Sequence, residues 1–204
     1  MFRLIKTIFN ICLIALAIVG FNAIGGQKYV EALKTNIGNF IQEKANESAK
    51  KMGNFSDLNP EFQIDNSVNL LGYKAIIAEH NASGQKMIIL DSGKKPLLTS
   101  EDIKSQNVDK KLKDLANTFK YQAITAKDIT VTSRGTINVY GKNVPYAKFE
   151  AKVTKLPFDD IAGMVASVKT SDGTEKLAIS ISEKKKYSQL ITNEFYKGVK
   201  EKKN

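Results

Sequence analysis

The sequence predicts an α+β protein: an antiparallel β-sheet of about seven strands with covering helices, preceded by an N-terminal transmembrane or signal helix and a long amphipathic helix. Three observations support this prediction. Residues 7–27 contain no charged side chain. Residues 28–52 carry apolar side chains at helical spacing. From residue 68 onwards, short runs rich in β-branched and aromatic residues are separated by turn residues, which is typical of strands.

The uncharged segment is long enough to cross a membrane as a helix. It contains 21 residues, and about 20 apolar residues span a hydrocarbon core. Arg3 and Lys6 precede it without an acidic neighbour, so the basic end is expected to stay in the cytoplasm while the body is translocated. The sequence therefore predicts a single-pass membrane protein with its body outside the cytoplasm, anchored through residues 1–26.

A cleaved signal peptide is the alternative interpretation of the same residues. Ala23 and Gly25 are small residues at the spacing that a signal peptidase reads, which places cleavage after Gly25. The apolar stretch exceeds the roughly 7 to 15 residues usual for a signal peptide, and this favours a retained anchor. Cleavage would instead give a secreted or periplasmic protein.

Residues 27–53 are predicted to form an amphipathic helix or stalk directly after the anchor. Its apolar positions are Val30, Leu33, Ile37, Phe40 and Ile41. The stripe is too short to pair alone as a coiled coil, which favours packing on the domain over a free stalk. Residues 54–67, rich in Asn, Asp and Pro, are predicted to be a linker.

Residues 68–204 are predicted to be the α+β domain. "VNLLGYKAIIAEH" and "QKMIILD" form a hairpin through the turn "NASG", and the first strand has apolar residues on both faces. Thr99 or Ser100 is predicted to cap a second helix that reaches Phe119, because two acids occupy its first turn. Helices on both sides of the sheet follow from the two apolar faces.

Five further strands are predicted as a meander, followed by a closing helix. The strands are "DITVTS", "TINVYG", "YAKFEAKV", "IAGMVASVK" and "KLAISIS". In the third, Ala147, Phe149 and Ala151 are expected to face the core. The closing helix, residues 183–200, directs one apolar stripe at the sheet. That stripe is Tyr187, Leu190, Ile191, Phe195 and Val199.

The order of these elements resembles the PsbP-type fold of the photosystem II extrinsic proteins and their bacterial relatives. The resemblance covers roughly residues 68–199, and includes the hairpin "GYKAIIAEHNASGQKMIIL", the arm "GKNVPYAKFEAKV" and the helix "YSQLITNEFYKGV". It rests on element order. It implies an extracytoplasmic α+β domain and brings neither a catalytic motif nor a functional residue.

Composition argues against several functional classes. The net charge is +10, but 29 of the 31 cations are lysine and only Arg3 and Arg134 are arginine, which disfavours a nucleic-acid partner. Cys12 is the only cysteine, so the body contains neither a disulfide nor a thiol. His80 is the only histidine, which excludes a multi-histidine metal site, and its place beside a turn predicts a solvent-facing side chain.

No motif in the chain predicts catalysis or a cofactor. "LDSGKKP" departs from a phosphate-binding loop at Ile88 and Lys95. The adjacent acids at 101–102 are explained by helix capping, and those at 159–160 point to opposite faces if they lie on a strand. We therefore predict no enzymatic activity, no cofactor and no metal site.

The predicted function is a membrane-anchored, non-enzymatic, extracytoplasmic domain that acts as an interaction or assembly module of the cell envelope. The alternative is a cleaved small-ligand-binding protein with a pocket between sheet and helix. Predicted partners are the membrane, through the N-terminal segment, and an envelope protein or anionic lipid. The lysines predicted to form an anionic-surface contact, or merely a solvated face, are Lys184, Lys185, Lys186, Lys197 and Lys200.

Overall fold

A computed structural model describes most of the domain. The described residues are 39–70, 73–91, 93, 96–105, 108–117, 126–154 and 158–202. The predicted anchor or signal helix and the first part of the amphipathic helix lie outside these residues. Among the helices of the described part, none combines the length and the apolar character that a bilayer crossing requires.

The described chain forms a seven-stranded antiparallel sheet with helices on both faces, which confirms the predicted α+β class. The elements are α1 (Asn39–Met52), β1 (Phe62–Leu70), β2 (Tyr73–His80), β3 (Lys86–Asp91), α2 (Ser100–Lys104), α3 (Val108–Asn117), β4 (Ala126–Val139), β5 (Lys142–Val153), β6 (Asp160–Lys169), β7 (Glu175–Glu183) and α4 (Gln189–Gly198). A 3₁₀ turn, Lys184–Lys186, joins β7 to α4. The strand order is β1-β2-β3-β7-β6-β5-β4.

Three of the seven strands differ from the predicted ones. β1 occupies the end of the stretch predicted to be a linker together with residues 68–70, which were predicted to begin the first hairpin strand, and it pairs with β2. β2 therefore begins at Tyr73 instead of Val68. The two strands predicted around residues 128–141 are one strand, β4, because Arg134 and Gly135 continue the pairing with β5 rather than forming a turn. The total remains seven, as predicted, because β1 adds one strand and the fusion into β4 removes one.

The second helix and the closing helix differ from the predicted ones. The second helix is divided into α2 and α3. The closing helix begins at Gln189 instead of residue 183, because the lysines before it form the 3₁₀ turn and Ser188 caps α4 by accepting a bond from the Ile191 amide. Leu190 is 79 % exposed, so its predicted contact with the sheet is wrong. Phe195 is buried as predicted.

The main core lies between the sheet and the pair α1 and α4. Met52 of α1 is buried there with Phe62 of β1. The Phe195 ring lies 5.4 Å from Phe62 and 5.1 Å from Tyr196, in edge-to-face arrangements. The Tyr196 hydroxyl donates to backbone carbonyls of β3 and β7. The described part of the amphipathic helix therefore packs on the sheet and is not a free stalk.

A second core lies on the opposite face of the sheet. Ile103 of α2 and Val108 of α3 pack there on Ala75 and Ile77 of β2. Thr99 caps α2 as predicted, since its hydroxyl accepts the Asp102 amide at 3.1 Å and the Asp102 carboxylate accepts the Thr99 amide at 3.0 Å. The two cores explain why both faces of β2 are apolar.

A buried polar contact holds the start of α4 against the sheet. The Gln85 side chain is fully buried. Its amide donates to the Ser188 carbonyl at 3.0 Å and to the Thr192 hydroxyl at 2.8 Å, and its oxygen accepts the Ser188 amide at 2.8 Å. The bond from the Ser188 amide satisfies one of the N–H groups that a helix N-terminus otherwise leaves unpaired.

Candidate functional site

The C-terminal ends of α1 and α4 meet at one corner of the domain. The Asn54 amide donates to the Lys200 carbonyl at 2.8 Å, and the Lys200 amide donates to the Asn54 carbonyl at 2.9 Å. The chain can approach so closely because residue 53 is glycine: a Cβ there would lie 3.0 Å from the Tyr140 ring and 3.2 Å from the Lys200 carbonyl oxygen. Two helices far apart in sequence thus end side by side.

Two buried donors hold the last carbonyl of α1. The Met52 carbonyl accepts the Tyr140 hydroxyl at 2.7 Å and the Lys176 ammonium at 3.1 Å. The ammonium also lies 5.2 Å from the centre of the Tyr140 ring. A cation at a helix C-terminus is favourable because that end carries partial negative charge. Burial raises the pKa of Tyr140 far above its usual range, so its hydroxyl remains a donor.

A cleft of about 1270 Å³ opens beside this corner. We call its small and apolar lining residues the floor, because they are buried or half-buried; they are Ala49, Gly53, Phe55, Ile64 and Tyr140. Its rim is polar and consists of Asn46, Lys50, Asn54, Ser56, Asp57, Ser171, Lys200, Glu201 and Lys202. An apolar floor with polar groups around it is the usual construction of a small-molecule site.

The rim of the cleft carries excess positive charge. Glu201 accepts bonds from the amide and the hydroxyl of Ser171, which lower its pKa, and it lies 3.4 Å from the Lys142 ammonium. Asp57 accepts the Ser56 hydroxyl at 3.2 Å. In contrast, the three lysines of the rim have no carboxylate within ion-pair distance in the described part of the chain. The cleft is therefore suited to an anion.

The five lysines of the predicted anionic-surface contact are not gathered in one patch. Lys184, Lys185 and Lys186 form the 3₁₀ turn before α4, whereas Lys197 lies in its last turn and Lys200 follows it. Eight residues of helix, about 12 Å, separate the 3₁₀ turn from Lys197, and Lys200 lies farther still. Only Lys200 lines the cleft.

Two lysines of the 3₁₀ turn are held in ion pairs. The Lys184 ammonium lies 2.6 Å from the Glu150 carboxylate, which raises its pKa, and the Lys186 ammonium lies 3.0 Å from Glu183. All three lysines are nevertheless exposed. Exposed ion pairs are worth little, so these side chains remain free to exchange partners.

The prediction that His80 faces the solvent is wrong. The side chain is 7 % exposed, with its ring 5.2 Å from that of Phe62. Its Nδ1 lies 2.9 Å from the Ser83 hydroxyl and its Nε2 lies 3.2 Å from the Glu61 carboxylate. The burial arises because β1, which the sequence did not predict, pairs with this end of β2.

Ser83, His80 and Glu61 follow the hydrogen-bond order of a catalytic triad, but the same bonds build the turn between β2 and β3. The Ser83 amide donates to Nδ1 of His80 at 3.3 Å, and the Ser83 hydroxyl accepts the Gln85 amide at 3.3 Å. The Gly84 amide donates to the His80 carbonyl at 2.8 Å. These amides are occupied within the turn, so they do not form an oxyanion hole beside Ser83.

Lys86 is a buried lysine that the sequence did not indicate. Its side chain is fully buried, and its ammonium donates to Asp65 at 2.9 Å and to Glu79. Asp65 lies where the register of β1 shifts relative to β2, between Ile64 and Asn66. Paired carboxylates offset the desolvation of the ammonium, which makes this a structural cluster.

The comparisons with known proteins place the chain in no family. No protein-family model matches it, and no curated protein matches it. Within the described residues, no group of three or more His, Cys, Asp or Glu side chains could hold a metal ion. The cleft at the ends of α1 and α4 is therefore the candidate site that the geometry of the described chain supports best.

Proposed function

We propose that the chain is a membrane-anchored, extracytoplasmic, non-enzymatic domain that acts as an interaction or assembly module of the cell envelope. The observation that supports this is the packing of α1 on the sheet, with Ala49 and Met52 in the core. The described part of the helix starts at Asn39, twelve residues after the uncharged segment ends at Gln27. Such a connection spans at most about 40 Å, so a retained anchor would hold the domain near the bilayer.

The 3₁₀ turn and Leu190 are the surface that would meet anionic lipid in this proposal. Lys185 is exposed between two other exposed lysines, and Leu190 projects into solvent from the first turn of α4. Lysines attract anionic headgroups, and an exposed leucine can enter the headgroup region. An envelope protein with an acidic surface is the other partner in the proposal. The resemblance to the PsbP-type fold agrees with an extracytoplasmic role and remains a proposal based on element order.

Reporter fusions test the placement. A reporter fused after Lys28 should be active outside the cytoplasm, and the full chain should resist extraction from membranes by carbonate. The matched control is the same reporter on a chain that starts at residue 28, which should stay in the cytoplasm. Cytoplasmic activity of the first fusion would contradict the proposed topology.

A cleaved, secreted or periplasmic small-ligand-binding protein is the second candidate, and the cleft is the observation that favours it. The two candidates differ in the fate of residues 1–26. N-terminal sequencing of the mature protein distinguishes them: Met1 at the start supports the anchor, whereas Gly26 at the start supports cleavage.

A further inference from the structure

We propose that the cleft beside the ends of α1 and α4 binds an anionic amphiphile, meaning a molecule with a phosphate or carboxylate head on an apolar tail. The site and its ligand are separate from the lipid contact at the 3₁₀ turn, about 15 Å of helix away. The inference stands whether the N-terminal segment is retained or cleaved, because the residues that build the cleft all lie between 46 and 202.

The head group is bound by Lys50, Lys200 and Lys202. Lys50 lies in the last turn of α1, whereas Lys200 and Lys202 follow the end of α4, and the Lys200 ammonium donates to the Lys197 carbonyl. The backbone bridge between Asn54 and Lys200 brings the two helix ends together.

The rim also holds two acids. Glu201 already pairs with the Lys142 ammonium, and Asp57 offsets one of the three lysine charges. Charge-assisted bonds from several ammonium groups favour a compact anionic head.

The tail lies on the floor of the cleft. Phe55 and Ile64 are only half-buried, so part of their apolar surface is still open to cover. Tyr140 is 4 % exposed and donates its hydroxyl to the Met52 carbonyl, so it contributes little open surface to the lining. Gly53 is buried in tight contact with the Tyr140 ring and with Phe55. The open apolar surface is therefore that of Phe55 and Ile64. An inorganic anion would leave this apolar floor unused.

The rim of the cleft also favours a simple anionic head over nucleic acid. Its cations are lysines, and the only arginine in the described chain, Arg134, lies 3.5 Å from Asp109 and does not line the cleft. Lysine acts as a point charge, whereas base and phosphate recognition usually draws on the planar arginine fork. The positive charge of the rim and the apolar surface of the floor together fit an amphiphile with an anionic head.

A single tryptophan can report on occupancy, because the chain contains none. We would introduce Phe55→Trp into the full chain, mix it with neutral phosphatidylcholine vesicles and record tryptophan emission. The probes are octyl phosphate, hexyl phosphate, inorganic phosphate and octanol, each at free concentrations measured by dialysis. Flotation of the same vesicles shows whether the chain is bound to the membrane, while the emission shows whether the cleft is occupied. A chain without a membrane anchor is therefore distinguished from a cleft that does not bind the probe.

Octyl phosphate should shift the emission saturably and bind more tightly than hexyl phosphate, by up to about fourfold for each additional buried methylene. Inorganic phosphate and octanol should bind far more weakly. Combined Lys50→Gln, Lys200→Gln and Lys202→Gln substitutions should weaken octyl phosphate binding about tenfold or more, less so at high salt. The matched control, Lys184→Gln with Lys185→Gln and Lys186→Gln, removes equal charge at the other end of α4 and should leave binding unchanged.

Three results would overturn the proposal: equal binding of octanol, full competition by inorganic phosphate, or equal weakening in the control variant. Calorimetry of the wild-type chain with octyl phosphate guards against a silent reporter, and absence of heat and of emission change would also overturn it. Replacing the neutral vesicles with anionic ones, without added amphiphile, shows whether the bound molecule comes from a membrane or from solution. If the tryptophan emission shifts and the shift needs the three cleft lysines, a bilayer lipid is the amphiphile. If the emission does not shift, the cleft takes an amphiphile that is free in solution.

Discussion

Buried polar groups in the described chain are placed opposite specific partners. Lys176 reaches a carbonyl and a ring, while Lys86 reaches two carboxylates. An unsatisfied buried group costs about 1 to 3 kcal/mol, so these contacts restrict which arrangement of strands is stable. They also fix the corner where the cleft lies, because Lys176 binds the last carbonyl of α1.

Asp172 gives a pH-dependent prediction at the residue scale. Its carboxylate accepts the Thr170 hydroxyl at 2.7 Å and the Thr174 amide at 2.9 Å in the turn between β6 and β7, and these bonds lower its pKa to about 2. A lowered pKa stabilises the folded state above the unfolded value, near 4, and this contribution disappears as the pH falls to about 2.

Asp172→Asn should therefore cost about 1 kcal/mol at pH 7 and flatten the loss of stability between pH 4 and pH 2. Urea unfolding across this range measures both effects. Asp159→Asn, at an exposed position before β6, is the control and should retain the wild-type slope. If Asp172→Asn kept that slope too, the turn would not hold the carboxylate as described.

At the scale of elements, the alternation of apolar residues predicted which faces are buried. Ala147 and Ala151 of β5 are buried as expected. The sequence did not predict β1, because "FQIDNS" contains Asn and Asp, which usually mark loops. Pairing with β2 outweighs that local preference. A turn was likewise expected at Gly135, where the Tyr146 ring covers the glycine across the strand pair.

Two glycines in the sheet face aromatic rings on β5, and only one of them lacks room for a methyl group. A Cβ at Gly163 would lie 2.5 Å from the Ser180 carbonyl oxygen and 2.6 Å from Phe149. A Cβ at Gly135 would meet only the Tyr146 ring, at 2.8 Å, on the exposed edge strand. The Tyr146 ring can rotate away from a methyl group at position 135. The Ser180 carbonyl cannot move away from one at position 163, because it lies in the middle of the sheet.

Gly163→Ala should lower the free energy of unfolding by about 1 to 3 kcal/mol because the backbone must shift. Gly135→Ala should change it by less than about 1 kcal/mol, since the added methyl displaces only a side chain. Urea denaturation of the two variants provides the comparison. Equal losses would contradict the packing described between β5, β6 and β7.

At the scale of the whole molecule, the cleft depends on contacts between distant parts of the chain. The bridge between Asn54 and Lys200 joins residues that are 146 positions apart (200 − 54). Local patterns indicate that lysines gather at helix C-termini, as Lys50 does, because they complement the helix dipole. No local pattern indicates that two such termini meet, so Lys50, Phe55, Tyr140 and Lys202 could not be predicted as one site.

The last prediction concerns the dependence of the whole domain on α1. Ala45, Ala49 and Met52 are buried against the sheet, and the Met52 carbonyl holds two donors. A chain that starts at residue 54 loses about 3 to 5 kcal/mol of apolar burial from these three side chains. It also leaves Tyr140 and Lys176 without their acceptor, which adds to the loss.

We therefore expect the chain starting at residue 54 to unfold at much lower urea concentration than one starting at residue 28, or not to fold at all. Circular dichroism during urea titration compares them, and the chain starting at residue 28 is the control because it retains α1. A double variant of that control, Tyr140→Phe with Lys176→Met, should lie between the two, since it loses the carbonyl contacts but keeps the apolar ones. Equal midpoints for the two chain lengths would mean that α1 is dispensable and that the sheet with α4 forms a sufficient core.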